Sequence, residues 1–182
     1  MAVTKFSDIS IIKDDKETPI HFHTADLYDE HMDKLQISLP GWQSFGNKNC
    51  FYGAIETVRT FEDNSLVKKV LKDPGKQRVL VIDGYASQKC ALIGDRLAEL
   101  AIENNWAGIV VNGFIRDSAQ INEMPIGIKA LGTIPRKSKK QNRGERGVEL
   151  YFKEVLWKAD HWLYSDQDGI AVAAEPLELS QS

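Results

Sequence analysis

A cation and a carboxylate stand side by side at Arg116-Asp117, just beyond the glycine that closes the apolar run Ile109-Val110-Val111-Asn112-Gly113. Arginine presents a rigid two-pronged donor that suits an acidic ligand. Aspartate supplies a hard oxygen that suits a divalent cation. Together they can hold a metal and an anion in one cleft. The same dipeptide also forms plain salt bridges at strand ends, so its surroundings must separate the two readings. Buried parallel strands read as continuous branched apolar runs, and ligands gather at the carboxyl ends of such strands.

The elements that would position this pair lie upstream. A second apolar run, Val79-Leu80-Val81-Ile82, ends in Asp83-Gly84. Ile93, Leu97, Leu100 and Ala101 fall at helical spacing, with Asp95, Arg96, Glu99 and Glu103 among the other positions. The pattern predicts an amphipathic helix whose first turns hold Gly94-Asp95-Arg96-Leu97. A helix start has unpaired backbone N–H groups and can bind a carboxylate or a phosphate. It can also bind nothing. The helix, the turn Asn104 to Gly108 and the Val110 strand form half of a β–α–β crossover. Such a crossover can bring the Gly94 turn and Arg116-Asp117 to one sheet edge.

These residues carry a resemblance. Ala91-Leu92-Ile93-Gly94, followed by Gly108-Ile109-Val110-Val111-Asn112-Gly113-Phe114-Ile115-Arg116-Asp117, resembles the signature of the regulator of ribonuclease E activity A family, which includes the metal-dependent 4-hydroxy-4-methyl-2-oxoglutarate aldolases. Flanking segments agree, in order: Thr24 to Asp29, Phe61-Glu62-Asp63-Asn64, Val79 to Gly84, and Tyr164 to Ile170. Single pieces of this kind are weak; the ordered set, from about His23 to Pro176, is more specific. The resemblance implies a three-layer α/β domain similar to phosphohistidine swivelling domains, assembled as a homotrimer with sites near subunit boundaries. It implies a carbon–carbon lyase, a class II aldolase or oxaloacetate decarboxylase acting on a small 2-oxo dicarboxylate. Asp117 would be the direct metal ligand with water in most other positions. Arg116 would hold substrate oxygens, and Gly94, Asp95, Arg96 and Leu97 would supply backbone donors.

The chemistry of such a reaction favours the same cofactor class. Cleavage beside a ketone, or loss of CO2 from a 2-oxo acid, leaves an enolate whose charge a Lys Schiff base or a Lewis-acid metal must hold. The lysines lie mostly in polar segments such as Lys68-Lys69 and Lys137 to Lys140, and only Lys89 is expected near the site. One carboxylate with water suits Mg2+ or Mn2+. The family's other known role is inhibition of an endoribonuclease of the ribonuclease E type by contact. That regulator keeps the arginine and lacks the aspartate, so Asp117 favours the enzyme.

Three departures from the family stand out. Aldolase members commonly have Gly or Glu where this chain has Asp95, which can repel an acidic substrate or simply complement a helix dipole. Tyr85-Ala86 replaces glycines. Arg136-Lys137-Ser138-Lys139-Lys140-Gln141-Asn142-Arg143 carries five cations where a shorter, glycine-richer loop is usual. It reads as a solvated loop, with an RNA or acidic-protein contact as the alternative.

The remaining candidates are weaker. His21, His23, His31 and His161 are too scattered for a metal cluster and read as surface residues. Glu123 and Glu145 read as salt-bridge or solvated charges that could also act as outer carboxylates around the site. Trp42, Trp106, Trp157 and Trp162 read as packing in the core or at a trimer interface.

At 182 residues the chain reads as an extension over 1–20 and one α/β domain over 21–182. No apolar run approaches the roughly 20 residues that span a bilayer. Residues 1–15 lack a signal peptide's apolar core. Cys50 and Cys90 form no metal or disulfide framework, and a cytoplasmic protein is expected. The net charge of −3 gives no general pull toward nucleic acid or anionic membrane. Thr24 is expected to cap a short helix through Met32, and Asn64 or Ser65 a second. Phe51 to Thr60, Ile128 to Ile134, Val148 to Trp157 and Gly169 to Ala174 read as strands, and Ile121 to Met124 as a helical turn.

Overall fold

The computed structural model describes residues 21–179, so the extension expected over 1–20 lies outside the described residues. The first half runs α1 (Thr24–His31), a 3-10 turn (Met32–Lys34), β1 (Leu35–Ile37), β2 (Gln43–Phe45), β3 (Phe51–Arg59), α2 (Ser65–Leu71), β4 (Val79–Asp83), β5 (Ala91–Ile93) and α3 (Asp95–Glu103). The second half runs β6 (Gly108–Ile115), α4 (Ser118–Asn122), β7 (Gly127–Thr133), β8 (Glu145–Arg146), β9 (Leu150–Phe152), β10 (Val155–Trp157), β11 (Trp162–Ser165) and β12 (Ile170–Ala173).

The sheet is mixed, in the order β1-β12-β11-β3-β4-β6-β7-β2. Strands β3, β4, β6 and β7 run parallel. Every residue of β4 is buried, as its unbroken apolar run requires of a strand covered on both faces. The long β3 belongs to both halves: Phe51 to Ala54 pair antiparallel with β11, and Ile55 to Arg59 pair parallel with β4.

Alternation along these strands splits the core in two. Val58, Leu80, Ile82, Ile109 and Val111 face a layer of helices, against Val67 and Leu71 of α2, Leu97 and Ala101 of α3 and Ile121 of α4. Ile55, Val79, Val81 and Val110 face the other way, packing with Leu163 and Val172 and with Leu150, Val155 and Trp157 of the separate β9–β10 hairpin. Each fully buried Val, Leu or Ile among them contributes about 1.5–3 kcal/mol. A slip of one residue would exchange the two faces, so both cores fix the register of β4 and β6.

Two contacts tie the halves together. The Phe51 ring lies so close over Gly108 that a Cβ there would fall 2.3 Å from its Cδ2, and only a residue without a side chain fits. On the same β3, buried Glu56 accepts hydrogen bonds from Arg78 (3.0 Å) and from Nε and Nη2 of Arg146 (3.2 and 3.0 Å), while Asp73 takes Arg146 Nη1 at 2.6 Å. Removing Glu56 would leave the partly exposed Arg78 guanidinium without a carboxylate partner and Arg146 with Asp73 alone. Breaking a fully buried pair costs about 3–5 kcal/mol, and partial exposure brings this below that range.

Several local expectations change. Ile93 is the last residue of β5 rather than a helical position, because the helix starts only after Gly94. Thr24 opens α1 without capping it: its N–H and hydroxyl both donate to Asp166, each at 2.7 Å. Neither Asn64 nor Ser65 caps α2 with its side chain; Asp63 Oδ1 accepts the Ser65 N–H at 2.8 Å. The segment Val148 to Trp157 is the β9–β10 hairpin, and Trp162 and Tyr164 lie in a strand of their own. The short helix begins at Ser118, ahead of Ile121. Among the described residues no helix is long and apolar enough to cross a membrane.

Candidate active site

The crossover from β4 through β5 and α3 to β6 delivers the two site segments to one edge, as the spacing predicts. Arg116 N–H donates to Ile93 O at 2.9 Å, and Ile134 N–H to Ile115 O at 2.9 Å. The Arg116-Asp117 backbone is thereby held between the end of β5 and the segment that leaves β7. Asp117 then turns into the left-handed region (φ 57°, ψ 36°), which Asp tolerates better than most residues. This residue stands at the N-cap of α4, where Asp usually binds its own helix. Here the side chain makes no capping bond. It reaches across to α3 instead.

Asp117 Oδ2 lies 3.3 Å from Arg116 Nε and 3.4 Å from the backbone nitrogen of Asp95. Gly94 makes this approach possible. Its backbone is extended, so conformation does not demand glycine; a Cβ would fall 2.8 Å from Asp117 Oδ2 and 3.4 Å from Arg116 Nε. The cleft beside the pair has a volume of about 200 Å³ and is lined by Arg116, Asp117, Ser118, Thr133, Ile134 and Pro135. The two charged side chains remain partly exposed, at 40% and 32%.

The α3 start is less open than expected. Arg96 N–H donates to Asp95 Oδ1 at 2.7 Å, and Leu97 N–H to Gly94 O at 3.1 Å. With the Asp95 N–H turned to Asp117, three donors of the Gly94 to Leu97 turn already have partners. The Asp95 carboxylate sits against the positive end of its own helix, the favourable placement for an acidic side chain. A ligand anion at Arg96 N–H must displace it.

The donor set restricts which metal ion the site could hold. Among the described residues no group of three or more His, Cys, Asp or Glu is arranged to hold an ion. Asp117 Oδ1 accepts no hydrogen bond from a described residue, and the cleft is open. A single carboxylate oxygen fits a hard, largely hydrated cation such as Mg2+ or Mn2+, and does not fit a tetrahedral zinc centre.

Other candidates lie elsewhere. His21 and His23 are exposed, His31 is 3.8 Å from Glu30, and His161 is half-buried. Glu145 pairs with Arg59 at 3.5 Å, and neither it nor exposed Glu123 lines the cleft. Trp106 and Trp157 are buried; Trp42 and Trp162 are half-buried. Lys89 lines a different hollow, with Cys90 and the basic loop. The reading of lysines as lying mostly in polar segments passed over Lys129. It is buried on β7, donating to Ser44 Oγ (2.8 Å) and to Asp166 O (2.5 Å), and burial pushes its pKa down. Sequence reasoning also missed Ser118, Thr133, Ile134 and Pro135. The signal existed: a strand that follows β6 through one short helix and runs parallel to it must end beside it.

Residues 24–172 match a family model described as RraA-like, Aldolase/RraA, close to the span expected from His23 to Pro176. The chain belongs to the RraA-like family. A relative from Laribacter hongkongensis, named "Putative 4-hydroxy-4-methyl-2-oxoglutarate aldolase", is 49% identical over 156 residues, which covers 86% of this chain and 98% of the relative. Two solved structures are similar throughout. One is described as the RNA-processing inhibitor RraA from Thermus thermophilis (TM-score 0.84, 39% identity, 90% of this chain and 99% of that one). The other is described as an S-adenosylmethionine:2-dimethylmenaquinone methyltransferase from Geobacillus kaustophilus HTA426 (TM-score 0.83, 47% identity, 88% and 100%). Three similar proteins thus carry three different functional names, and function has to be argued from the site.

Proposed function

We propose that this protein is a divalent-metal-dependent carbon–carbon lyase for small 2-oxo dicarboxylates. The reaction is aldol cleavage of a 4-hydroxy-4-methyl-2-oxoglutarate type substrate, decarboxylation of oxaloacetate, or both, through an enolate. The observation that carries this reading is the Asp117 carboxylate, which lines the cleft, with Oδ2 held by Arg116 and the start of α3 and Oδ1 free of hydrogen bonds from described residues. The name of the Laribacter relative supports the same reaction class.

Asp117 would hold Mg2+ or Mn2+. When bound, the ion supplies Lewis-acid stabilisation of the negative charge that develops on the 2-oxo oxygen. Arg116 keeps its terminal guanidinium nitrogens for the carboxylate or carbonyl beside the breaking bond. The start of α3 adds a positive field, and Gly94 to Leu97 bind the substrate once Asp95 gives way. Ile134 and Pro135 give the cleft an apolar wall, which limits water around the developing charge.

The same reading carries a homotrimer with sites near subunit boundaries and a three-layer likeness to phosphohistidine swivelling domains. The open cleft supports the first, as does the exposed pair Phe61 and Tyr85 (ring centroids 5.9 Å apart), an apolar surface that a neighbouring copy would cover. A second reading is a non-catalytic regulator of a ribonuclease E type endoribonuclease, favoured by the description of the Thermus structure and by the exposed basic loop. Purified protein assayed on a panel of 2-oxo acids, with Mg2+ and with a chelator, separates the two. Chelator-sensitive turnover supports the lyase. Inactivity on the whole panel, with recovery of a bound ribonuclease, supports the regulator.

A further inference from the structure

A second hollow opens on the far side of β5, lined by Glu62, Lys89, Cys90, Arg136, Lys137 and Lys139, with a volume of about 280 Å³. It shares no lining residue with the Arg116-Asp117 cleft. We infer that this hollow is a separate binding site for a small oxyanion carrying two or more negative charges, such as a phosphorylated or polycarboxylated metabolite.

Charge is the first argument. Four cations and one carboxylate share the hollow, and none of the four has an ion-pair partner among the described residues. Arg59, Arg78 and Lys158 each have one, and Arg146 has two. Like charges gathered in a concavity repel one another, and their field is focused there for an incoming anion.

The second argument is that the walls are fixed rather than merely flexible. Ala91 N–H donates to Arg136 O at 2.8 Å, and Lys139 N–H to Glu62 O at 3.0 Å, forming short parallel bridges on either side of the hollow. Beyond them, fully buried Asp63 accepts the N–H groups of Gln141 (2.7 Å) and Arg143 (3.3 Å). Burial pushes the Asp63 carboxyl up, but its hydrogen bonds from Ser65, Gln141 and Arg143 outweigh this and hold it below the ordinary value. It therefore stays charged and keeps the loop clamped. A solvated run without such ties would spread its cations apart.

The remaining lining residues refine the ligand. Glu62 Oε1 accepts the Ser87 hydroxyl at 2.7 Å, which fixes one acceptor at the rim for a ligand hydroxyl or a protonated phosphate oxygen. Cys90 is buried, and burial followed by the nearby Glu62 charge pushes its thiol pKa up, so it adds no competing anion. Pro135 lines the first cleft and Arg136 the second, so occupancy of the hollow braces a segment that both share.

The test is calorimetric titration of the full chain with inorganic phosphate and with citrate, at matched ionic strength. At least one should saturate at one site per chain. Lys137→Ser and Lys139→Ser should each weaken binding about fivefold, the scale of a favourable partly exposed charge pair. Glu62→Gln should tighten it, a direction that general loss of structure cannot produce. Lys153→Ser, at a lysine bonded to Pro40 O outside the hollow, should bind like the parent. Phosphate preferred over citrate assigns a phosphorylated ligand, and the reverse a polycarboxylate; both support the site. Saturation by neither anion, unchanged affinity in both lysine variants, or retention of single-stranded RNA without phosphate or citrate binding overturns it. Loss of binding in Arg116→Lys with the lysine variants intact also overturns it, because the anion then sits in the other cleft.

Discussion

The Asp117 carboxylate reaches out of its own helix to lie 3.4 Å from the backbone nitrogen of Asp95, the first residue of α3. Two segments 22 residues apart are joined there, and Gly94 is the spacer that lets them meet. The catalytic proposal depends on this approach.

Gly94→Ala is the sharpest structural probe of it. The backbone at Gly94 is extended and accepts alanine, so the fold should survive with a small loss in melting temperature. The new methyl falls on Asp117 Oδ2 and must push it away. We expect kcat/KM on a 2-oxo acid to fall at least about tenfold, since a misplacement of about 1 Å can cost a hundredfold. Mn2+ affinity, read by electron paramagnetic resonance, should weaken in parallel. Parent-like kinetics together with parent-like Mn2+ binding would mean that the contact is incidental.

Arg116→Lys keeps the charge and removes the planar fork. Substrate binding should weaken and turnover should slow, because a lysine is a mobile point charge where arginine grips two oxygens. Steady-state kinetics on the best 2-oxo acid would check this. An unchanged KM and kcat would take Arg116 out of the site.

Acid stability has a marked contributor in Asp166. Burial pushes its carboxyl up, but bonds from the Thr24 N–H and hydroxyl and from the N–H groups of Asp168 and Gly169 prevail, and its pKa lies below the ordinary 3.8. A depressed folded-state pKa gives stability that is present above 3.8 and lost as the pH falls through the lowered value. Asp166→Asn should therefore be less stable than the parent at neutral pH, with the gap closing below that point. Urea unfolding across the acid range measures it, and a gap independent of pH would remove Asp166 from the linkage.

Periodicity and strand ends made much of this legible. The β4 and β6 runs read directly as buried parallel strands because burial on both faces keeps Val79 to Ile82 and Ile109 to Val111 apolar; the polar residues that follow, Asp83 and Asn112, are buried and bonded to each other. Arg116 and Asp117 came from their place after β6. Ile93 sits at helical spacing from Leu97 but pairs in β5, and a three-residue strand abutting a helix has no period of its own. Thr24 and Asp166 lie 142 residues apart, and no local pattern announces their bond. Lys129 stayed hidden because its partners, Ser44 and the Asp166 carbonyl, come from segments that only the sheet order brings together. The Arg136 to Arg143 loop is exposed at every position except Ser138, but Asp63, which clamps it, is remote in sequence.

The central claim is that Asp117 supports metal-dependent carbon–carbon cleavage, and the most direct measurement compares the parent with Asp117→Ala on oxaloacetate and on 4-hydroxy-4-methyl-2-oxoglutarate. The assay is run with Mg2+ and with a chelator, and circular dichroism confirms that both proteins are folded. The account predicts turnover by the parent that needs Mg2+ and is abolished by the chelator, and no metal-dependent turnover by the variant. Chelator-sensitive turnover that survives in folded Asp117→Ala, or a parent inactive on both substrates with Mg2+ present, would contradict it.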